Sequence, residues 1–389
     1  MKAQRTLRVA IVGAGAAGQA HAFGYRNASM ARDLAGTKVE LVTVVDENVS
    51  LAEQVAARYS AAKVSGDYHA AIEDPAIDIV SVALPNQLHR AILPEVLSSG
   101  KHVLAEKPLG RSGAEAEEIA RAASRSDAVV VIGFSFRRLP AFAALAQLVG
   151  EGHLGELFTV EGWYFADYGA DPSAPISWRY SKEAAGAGAL IDIGSHLIDA
   201  VSYVGGPISV IHSCLLKTVI EERPAGGGQV GHVDNDDIVL LTAGLGAGVT
   251  AQLRASRVAT GTPNSLGVEV RGSKGFARVD SITNNELVVF SDDTGVASWL
   301  NGPRHVVMGP RHPYFSDVAP MPGAGVGTGY GEAFVAEVQT FLRAVIQGAP
   351  IDTGLPEACR VMHVVDAALQ SAASRAPSTV WGAGAEGAS

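Results

Sequence analysis

Two hydrophobic rhythms divide the chain. Between Leu7 and Phe134, short runs rich in Val, Ile and Leu alternate with longer stretches of helical spacing. The run Leu-Arg-Val-Ala-Ile-Val at 7–12 predicts a buried strand, followed by a Gly-rich turn and a helix over Ala16–Ala31. Further strands are expected at Val39–Val45, Lys63–Ser65, Asp78–Leu84, Lys101–Glu106 and Val129–Phe134. Helices over Ser50–Tyr59, Tyr68–Glu73, Leu88–Ser99 and Ala114–Ser124 occupy the intervals. Continuous apolar strands imply burial on both sheet faces, and strand–helix alternation implies right-handed crossovers in a parallel sheet. Residues 1–135 therefore predict an α/β domain with a doubly wound parallel sheet.

The rhythm changes after a helix expected at Pro140–Val149. Strand-like segments at 156–165, 208–217, 236–243, 248–255, 267–272, 276–279 and 286–290 are separated by turns such as Gly244–Gly248 and Gly272–Gly275. Short spacing without intervening helices predicts antiparallel pairing. With helices expected at Tyr180–Val204 and Gly331–Gln347, residues 136–389 read as an α+β domain with a large, mainly antiparallel open sheet. Helices cover one face. The other needs cover too, and a second copy of the chain, as homodimer or homotetramer, is the economical answer. The Ala/Gly-rich tail from Gly382 is expected to fray.

Composition narrows the function. The 389 residues are 47% hydrophobic with 44 glycines, which suits an α/β protein with many tight turns. A net charge of −10 without a basic run sets nucleic-acid binding aside. Cys214 and Cys359 are too few to staple the chain and fit a reducing compartment. Lys2, Arg5 and Arg8 before an apolar run, with Ala20-His21-Ala22, imitate a signal peptide. Cleavage there would destroy the Gly-rich turn, so the turn is preferred. No window of about eighteen apolar residues occurs, and the expectation is a soluble, cytoplasmic protein without a membrane partner.

The turn is Gly13-Ala-Gly15-Ala16-Ala17-Gly18, a full G-x-G-x-x-G between a strand and a helix. Its glycines permit a tight turn, close approach of a pyrophosphate, and close helix–strand packing, with helix N–H groups facing the phosphates. Asp46 closes the second strand, where a carboxylate accepts hydrogen bonds from a ribose and repels a 2′-phosphate, favouring NAD over NADP. Asp also suits a helix N-cap, and both roles are compatible.

Pro85, Asn86 and His89 follow one strand, and Glu106-Lys107-Pro108 follows the next, at the carboxyl ends where open sheets bind ligands. Lys107 is the first candidate for proton transfer, since a lysine near a positive nicotinamide has its pKa lowered. Pro108 fixes the backbone and admits a cis bond. Without its neighbours, Lys107 would read as a surface lysine. Asp192 and His196, at i and i+4, face the same way if helical, and suit proton transfer with the carboxylate orienting imidazole or a hydroxyl. A metal site would need further ligands that the spacing does not offer, so none is expected. A helix cap plus a core histidine is the plain alternative.

Together these motifs, in this order over the first half of the chain, resemble the Gfo/Idh/MocA oxidoreductase family. The resemblance implies a Rossmann domain with an α+β partner domain whose open sheet assembles dimers or tetramers. It implies that Lys107, Asp192 and His196 are the catalytic trio, with Asn86, His89 and Glu106 near the cofactor. Leu84 departs from the Thr the family often carries before Pro-Asn, which puts one cofactor hydrogen bond in question. Two stretches are similar to the levoglucosan dehydrogenase branch: Asp171-Pro-Ser-Ala-Pro-Ile-Ser-Trp178-Arg179-Tyr180, and Gly309-Pro-Arg-His312-Pro-Tyr314 with Gly327-Thr-Gly-Tyr330-Gly-Glu332.

Trp163, Tyr164, Asp167, Trp178, Arg179, His312 and Tyr330 combine flat apolar faces with hydrogen-bonding tips, as carbohydrate sites require. Core packing is the alternative for any single aromatic. The expectation is an NAD(P)-dependent dehydrogenase acting on a secondary hydroxyl of a sugar, anhydrosugar or cyclitol in the cleft between domains. The rivals are an NAD-retaining glycosidase of the same fold and a non-catalytic dinucleotide sensor.

Overall fold

The computed structural model describes residues 5–382 apart from 124, 125, 284, 293, 294, 296, 298, 299 and 324. The fraying expected of the tail beyond Gly382, Lys2 of the signal-like segment, and Ser124 at a helix end lie outside the described residues.

In chain order, the strands and helices begin β1 (Arg5–Val12), α1 (Ala16–Asn27), β2 (Thr37–Val45), α2 (Val49–Tyr59), β3 (Lys63–Ser65) and α3 (His69–Ile72). They continue with β4 (Ile79–Val82), α4 (Asn86–Ser98), β5 (His102–Glu106), α5 (Gly113–Ala123) and β6 (Val130–Gly133). After them come α6 (Pro140–Gly150), β7 (Leu157–Ala166), α7 (Lys182–Ala185), α8 (Ala189–Asp192), α9 (Gly194–Gly205) and β8 (Ile208–Lys217). Next follow β9 (Glu222–Gly226), β10 (Gln229–His232), β11 (Ile238–Leu245), β12 (Thr250–Ser256), β13 (Asn264–Gly272) and β14 (Gly275–Asp280). The last are β15 (Glu286–Ser291), β16 (Arg304–Val307), α10 (Phe315–Val318), α11 (Tyr330–Gln347), α12 (Leu355–Ser374) and β17 (Ser378–Thr379).

Two compact units result. The first takes the described residues up to Gly110, Ala114–Leu139 and Gly309–Cys359; the second takes Arg111–Gly113, Pro140–Met308 and the described residues from Arg360. In the first, six parallel strands run in the order β3-β2-β1-β4-β5-β6. This is the doubly wound sheet expected from the alternating pattern. The order reverses between β1 and β4, so their carboxyl ends form the switch point at which such sheets bind ligands.

The segment Gly309–Cys359 falls in sequence within the expected 136–389 region, yet packs in the first unit. Val338, Phe341 and Leu342 of α11 share a core with Leu7, Ile11, Tyr25 and Leu104. A Cβ on Gly24 of α1 would lie 2.8 Å from the Phe334 carbonyl oxygen, so these two helices pass nearly backbone to backbone. Arg343 adds hydrogen bonds to both oxygens of Asp33, at 2.8 and 2.9 Å. An amphipathic pattern shows that a helix has a partner but never which one, so this return of the chain has no local signature.

The second unit holds nine strands in the order β16-β15-β14-β13-β7-β12-β11-β8-β17, antiparallel except for the β7–β12 pair. Strand alternation sends Val160, Gly162 and Tyr164 to one face, where Cβ atoms on Gly162 would meet Leu197 and Val201 of α9 at 2.7 Å. The opposite face carries Trp163 and Phe165, with Leu215 and Leu240 exposed at 55% and 45%.

The helix expected across Tyr180–Val204 is three pieces. Gly186 has φ +90°, and a Cβ on Gly188 would sit 1.8 Å from the Asp236 carbonyl oxygen, so the chain turns there instead of continuing. A bend of 41° at Ile193 then separates the stretch Lys182–Asp192 from α9. The pattern carries no expectation for α12, whose many small residues blur its two faces. Among the described residues no single helix is long and apolar enough to cross a membrane.

Candidate active site

In the first unit, the turn after β1 has the tight turn and the close packing that its first and third glycines were assigned. Gly13 has φ +100° and donates to Val45 O at 2.8 Å; a Cβ there would strike Ala83 O at 2.1 Å. Gly18 must lack a side chain because a Cβ would lie 1.8 Å from Gly13 O. Gly15, by contrast, has open space where its Cβ would stand, and with Ala16 it is exposed at the start of α1. The first N–H groups of a helix have no acceptor within it, so Ala16, Ala17 and their neighbours offer donors and a positive dipole end to a pyrophosphate.

Asp46 Oδ2 accepts from Ala14 N at 2.7 Å and Oδ1 from Asn48 N at 2.9 Å, which ties the end of β2 to the turn. The N-cap of α2 is Asn48, whose Oδ1 accepts from Leu51 N at 3.2 Å, so Asp46 is not needed for capping. Its carboxylate keeps further acceptor capacity at the place where a ribose diol is bound in such folds. The residues present therefore fit a dinucleotide.

At the adjacent strand ends, Pro85 starts α4 with buried Asn86 behind it. His89, fully buried, places Nδ1 2.8 Å from Pro108 O and Nε2 3.0 Å from Leu84 O. It thus joins the two loops that carry Pro85 and Lys107. A neutral ring donates to one carbonyl at a time, and burial holds its pKa below the ordinary value against the pull of those carbonyls. The Lys107–Pro108 peptide is cis. Lys107 is half-buried, and its N–H donates to Glu106 Oε2 at 3.2 Å. Glu106 Oε1 lies 3.2 Å from His21 Nε2, while His21 Nδ1 is 2.7 Å from Ser81 Oγ. Burial would raise the Glu106 carboxyl, but the His21 hydrogen bond and the nearby charges outweigh it and hold it low.

His312 and Tyr330 belong to this unit too. Gly309 N donates to His312 Nδ1 at 2.9 Å, folding that ring over its own loop. Tyr330 is exposed at one edge, with its hydroxyl 3.2 Å from Ser135 Oγ and its ring against Phe136. Buried Arg138, which the sequence does not single out, pairs with Asp352 and donates to the Tyr314 hydroxyl at 2.8 Å.

The second unit gathers Asp192, His196, Tyr164, Trp178 and Arg179. Asp192 Oδ2 accepts from the Tyr168 hydroxyl at 2.6 Å and lies 3.5 Å from Arg179 Nε. The Arg179 guanidinium stacks on Trp178 at 4.5 Å. Burial of its hydroxyl and the Asp192 carboxylate push the Tyr168 phenol well above its usual range, although its ring edge is exposed. His196 is buried one helix further on, its ring tilted against Tyr164 at 6.3 Å. The helix bends at Ile193, between Asp192 and His196. Asp167 is half-buried beside Tyr168 in sequence.

Trp163 does not join this group. Its indole N–H donates to Ser265 and Asp280, both at 3.1 Å, on the opposite sheet face from Tyr164. Sequence reasoning missed Tyr168 and the pair His21–Ser81. A signal existed for His21, three residues after Gly18 on the helix face that meets the sheet. Among the described residues, no group of three or more His, Cys, Asp or Glu gathers as a metal site.

Comparisons with known proteins agree with this architecture. A model described as an oxidoreductase family with an NAD-binding Rossmann fold, GFO_IDH_MocA, matches residues 7–134. The Gfo/Idh/MocA C-terminal domain model matches residues 142–278. The chain therefore belongs to the Gfo/Idh/MocA oxidoreductase family, and its first unit is an NAD-binding Rossmann domain. It is 33% identical over 383 residues to the levoglucosan dehydrogenase of Pseudarthrobacter phenanthrenivorans, covering 95% of this chain and 97% of that protein. A solved levoglucosan dehydrogenase in complex with NADH and levoglucosan matches with a TM-score of 0.91 at 32% identity, over 97% of this chain and 100% of that one. The inositol 2-dehydrogenase of Rhizobium meliloti is 26% identical over 370 residues, 95% of this chain and 98% of the relative.

Proposed function

We propose that this protein is an NAD-dependent dehydrogenase that oxidises a secondary hydroxyl on a sugar, anhydrosugar or cyclitol ring. The observation that carries the reading is the Asp192 carboxylate held against Tyr168 and Arg179, with Trp178 stacked on that arginine. A charged acceptor, a phenol and an aromatic face together suit a polyhydroxylated ring, and they occur in a chain whose other unit binds a dinucleotide. The relatives that act on levoglucosan and inositol support the same class.

Gly13, Gly15, Ala16, Ala17, Gly18, Asp46, Pro85, Asn86, His89 and Glu106 would hold and orient the cofactor, and Asp46 favours NAD over NADP. When bound, NAD supplies the hydride acceptor. Lys107, with His196 as proton acceptor, takes the proton of the reacting hydroxyl. Asp192 orients His196 or a neighbouring hydroxyl, and Tyr164, Asp167, Trp178, Arg179, His312 and Tyr330 contact the ring. In this assignment residues 1–135 serve the cofactor, while 136–389 bind substrate and assemble copies of the chain through the open sheet face. The working compartment is the cytoplasm, consistent with a chain of only two cysteines.

The test is NADH formation by purified protein and NAD against inositols, aldoses and anhydrosugars. NADH on one class establishes the dehydrogenase and its substrate type. Silence across the panel with NAD bound tightly sinks the reading, and release of a leaving group without net NADH points instead to the glycosidase-type chemistry.

A further inference from the structure

The Asp192 cluster is built from two stretches of chain, and one short segment, Asn235–Asp237, grips both. On the first side, Asp236 closes the N-terminus of α8. Its Oδ1 accepts from Gly188 N at 2.8 Å, its Oδ2 from Leu190 N at 2.7 Å, and its carbonyl from Ala189 N at 2.7 Å. These bonds fix the short helix that ends in Asp192. The absence of a side chain at Gly188 is what lets the two backbones approach this closely.

On the second side, the loop carrying Tyr168 and Arg179 is anchored from the same segment. Asn235 Nδ2 and Arg257 Nη1 both donate to the Arg179 carbonyl, each at 3.0 Å. Arg257 Nη2 donates to Asn235 Oδ1 and its Nε to Asp237 Oδ1, both at 2.7 Å. Asp237 Oδ2 takes the N–H groups of Val219 and Ile220 at 2.7 and 3.0 Å. Tyr180 lies between two buried guanidinium groups, Arg257 at 4.6 Å and Arg223 at 4.1 Å, and Arg223 in turn donates to the carbonyls of Gly169 and Asp171.

The Arg257–Asp237 pair is wholly buried. Such a pair contributes little net stability, because desolvation offsets its attraction, whereas a planar fork with each of its three nitrogens directed is a strong constraint on geometry. Here the constraint converges on one carbonyl, that of Arg179, whose side chain faces Asp192.

We propose that Asn235, Asp236, Asp237 and Arg257 are positioning residues that set the spacing of Tyr168 and Arg179 from Asp192, and so decide which polyhydroxylated ring is accepted. This rests on the assignment of the Asp192 cluster to substrate. It reaches beyond that assignment by giving specificity to residues that never touch the ring.

The experiment compares wild type with Asn235→Ala, which removes one of the two donors on the Arg179 carbonyl and leaves the ion pair in place, and with Arg257→Lys, which keeps the charge and loses the fork. Should Arg257→Lys fail to fold, Asn235→Ala carries the test. Sugar KM and kcat, NAD affinity, and hydrogen exchange over residues 168–180 are measured. Loss of the two buried side-chain bonds of Asn235, to the Arg179 carbonyl and from Arg257 Nη2, is expected to raise sugar KM about tenfold or more, with smaller changes in kcat, NAD affinity unaltered and exchange faster in that loop. Two results overturn the proposal: an unchanged KM and exchange pattern in Asn235→Ala, or a raised KM accompanied by parallel losses of kcat, NAD affinity and Tm that mark general destabilisation. Wild-type protein that makes no NADH with any ring overturns the substrate assignment itself, and with it this role, and is distinguished by appearing before any variant is made.

Discussion

A methyl group on Gly18 would stand 1.8 Å from the Gly13 carbonyl oxygen, closer than any real carbon–oxygen contact. Something must move, and what moves is the start of α1, the anion-binding end of the helix. Gly18→Ala is accordingly expected to weaken NAD binding, read by titration, with overpacking costing about 1–3 kcal/mol of stability; wild-type affinity would show that the turn has room the geometry denies. Lys107 tests the other half of the first-unit site. Since a positioned acid or base contributes about 10²–10⁴-fold, Lys107→Ala is expected to lose about that much kcat. NAD affinity should hold nearly intact, and full turnover would remove Lys107 from the chemistry. At this scale the glycine turn was legible, because the positive φ of Gly13 and the closeness of Gly18 to the Gly13 carbonyl are set within the turn itself. Trp163 and Tyr168 were not: which of two adjacent strand positions faces the helices depends on sheet alternation, and Tyr168 matters only through its bond to Asp192.

Among the elements, α11 shows what a local pattern leaves open. Its amphipathic face was expected, but its partner is α1, reached across some three hundred residues of chain and strapped by Arg343 to Asp33. Hydrogen bonds from Arg343 and Gln347 hold the Asp33 carboxyl at about 2, below its ordinary 3.8. A lowered carboxylate pKa means stability that is present above the unfolded value and lost as pH falls through the folded one. Wild type should therefore lose more Tm than Asp33→Asn as pH drops from about 4 to about 2, the window between those pKa values; equal losses would show that the pair contributes nothing. The exposure of Asp33 keeps the expected difference small. The break before α8 makes the same point in the second unit, where an apolar run that reads as one helix is interrupted by contacts from Asp236 to Gly188 and Leu190.

For the whole molecule, the assembly proposed above would seat a second copy on the second unit's sheet face that bears Trp163. Leu215 and Leu240 face each other there across β8 and β11, both about half exposed, in register with Arg254 and Trp163 on the next strands. Two exposed leucines paired across adjacent strands are the kind of apolar surface that a contact between copies would bury. Leu240→Lys is expected to lower the mass of the particle in light scattering, and an unchanged mass would exclude this face from assembly. The sequence by itself determined the alternating strands and helices of the first sheet, the glycine turn, the placing of Asp46, Asn86 and Lys107 at strand ends, and the largely antiparallel character of the second sheet. Each follows from rules that operate over a few residues: side-chain periodicity, steric limits at glycine, and the chemistry of a strand end. Only the tertiary structure decided that α11 packs with the first unit, that the chain bends between Asp192 and His196, and that Asn235–Asp237 holds Arg179 and α8 together. Those outcomes depend on which surfaces meet, and a packing partner distant in sequence leaves no periodic trace in either segment that it joins.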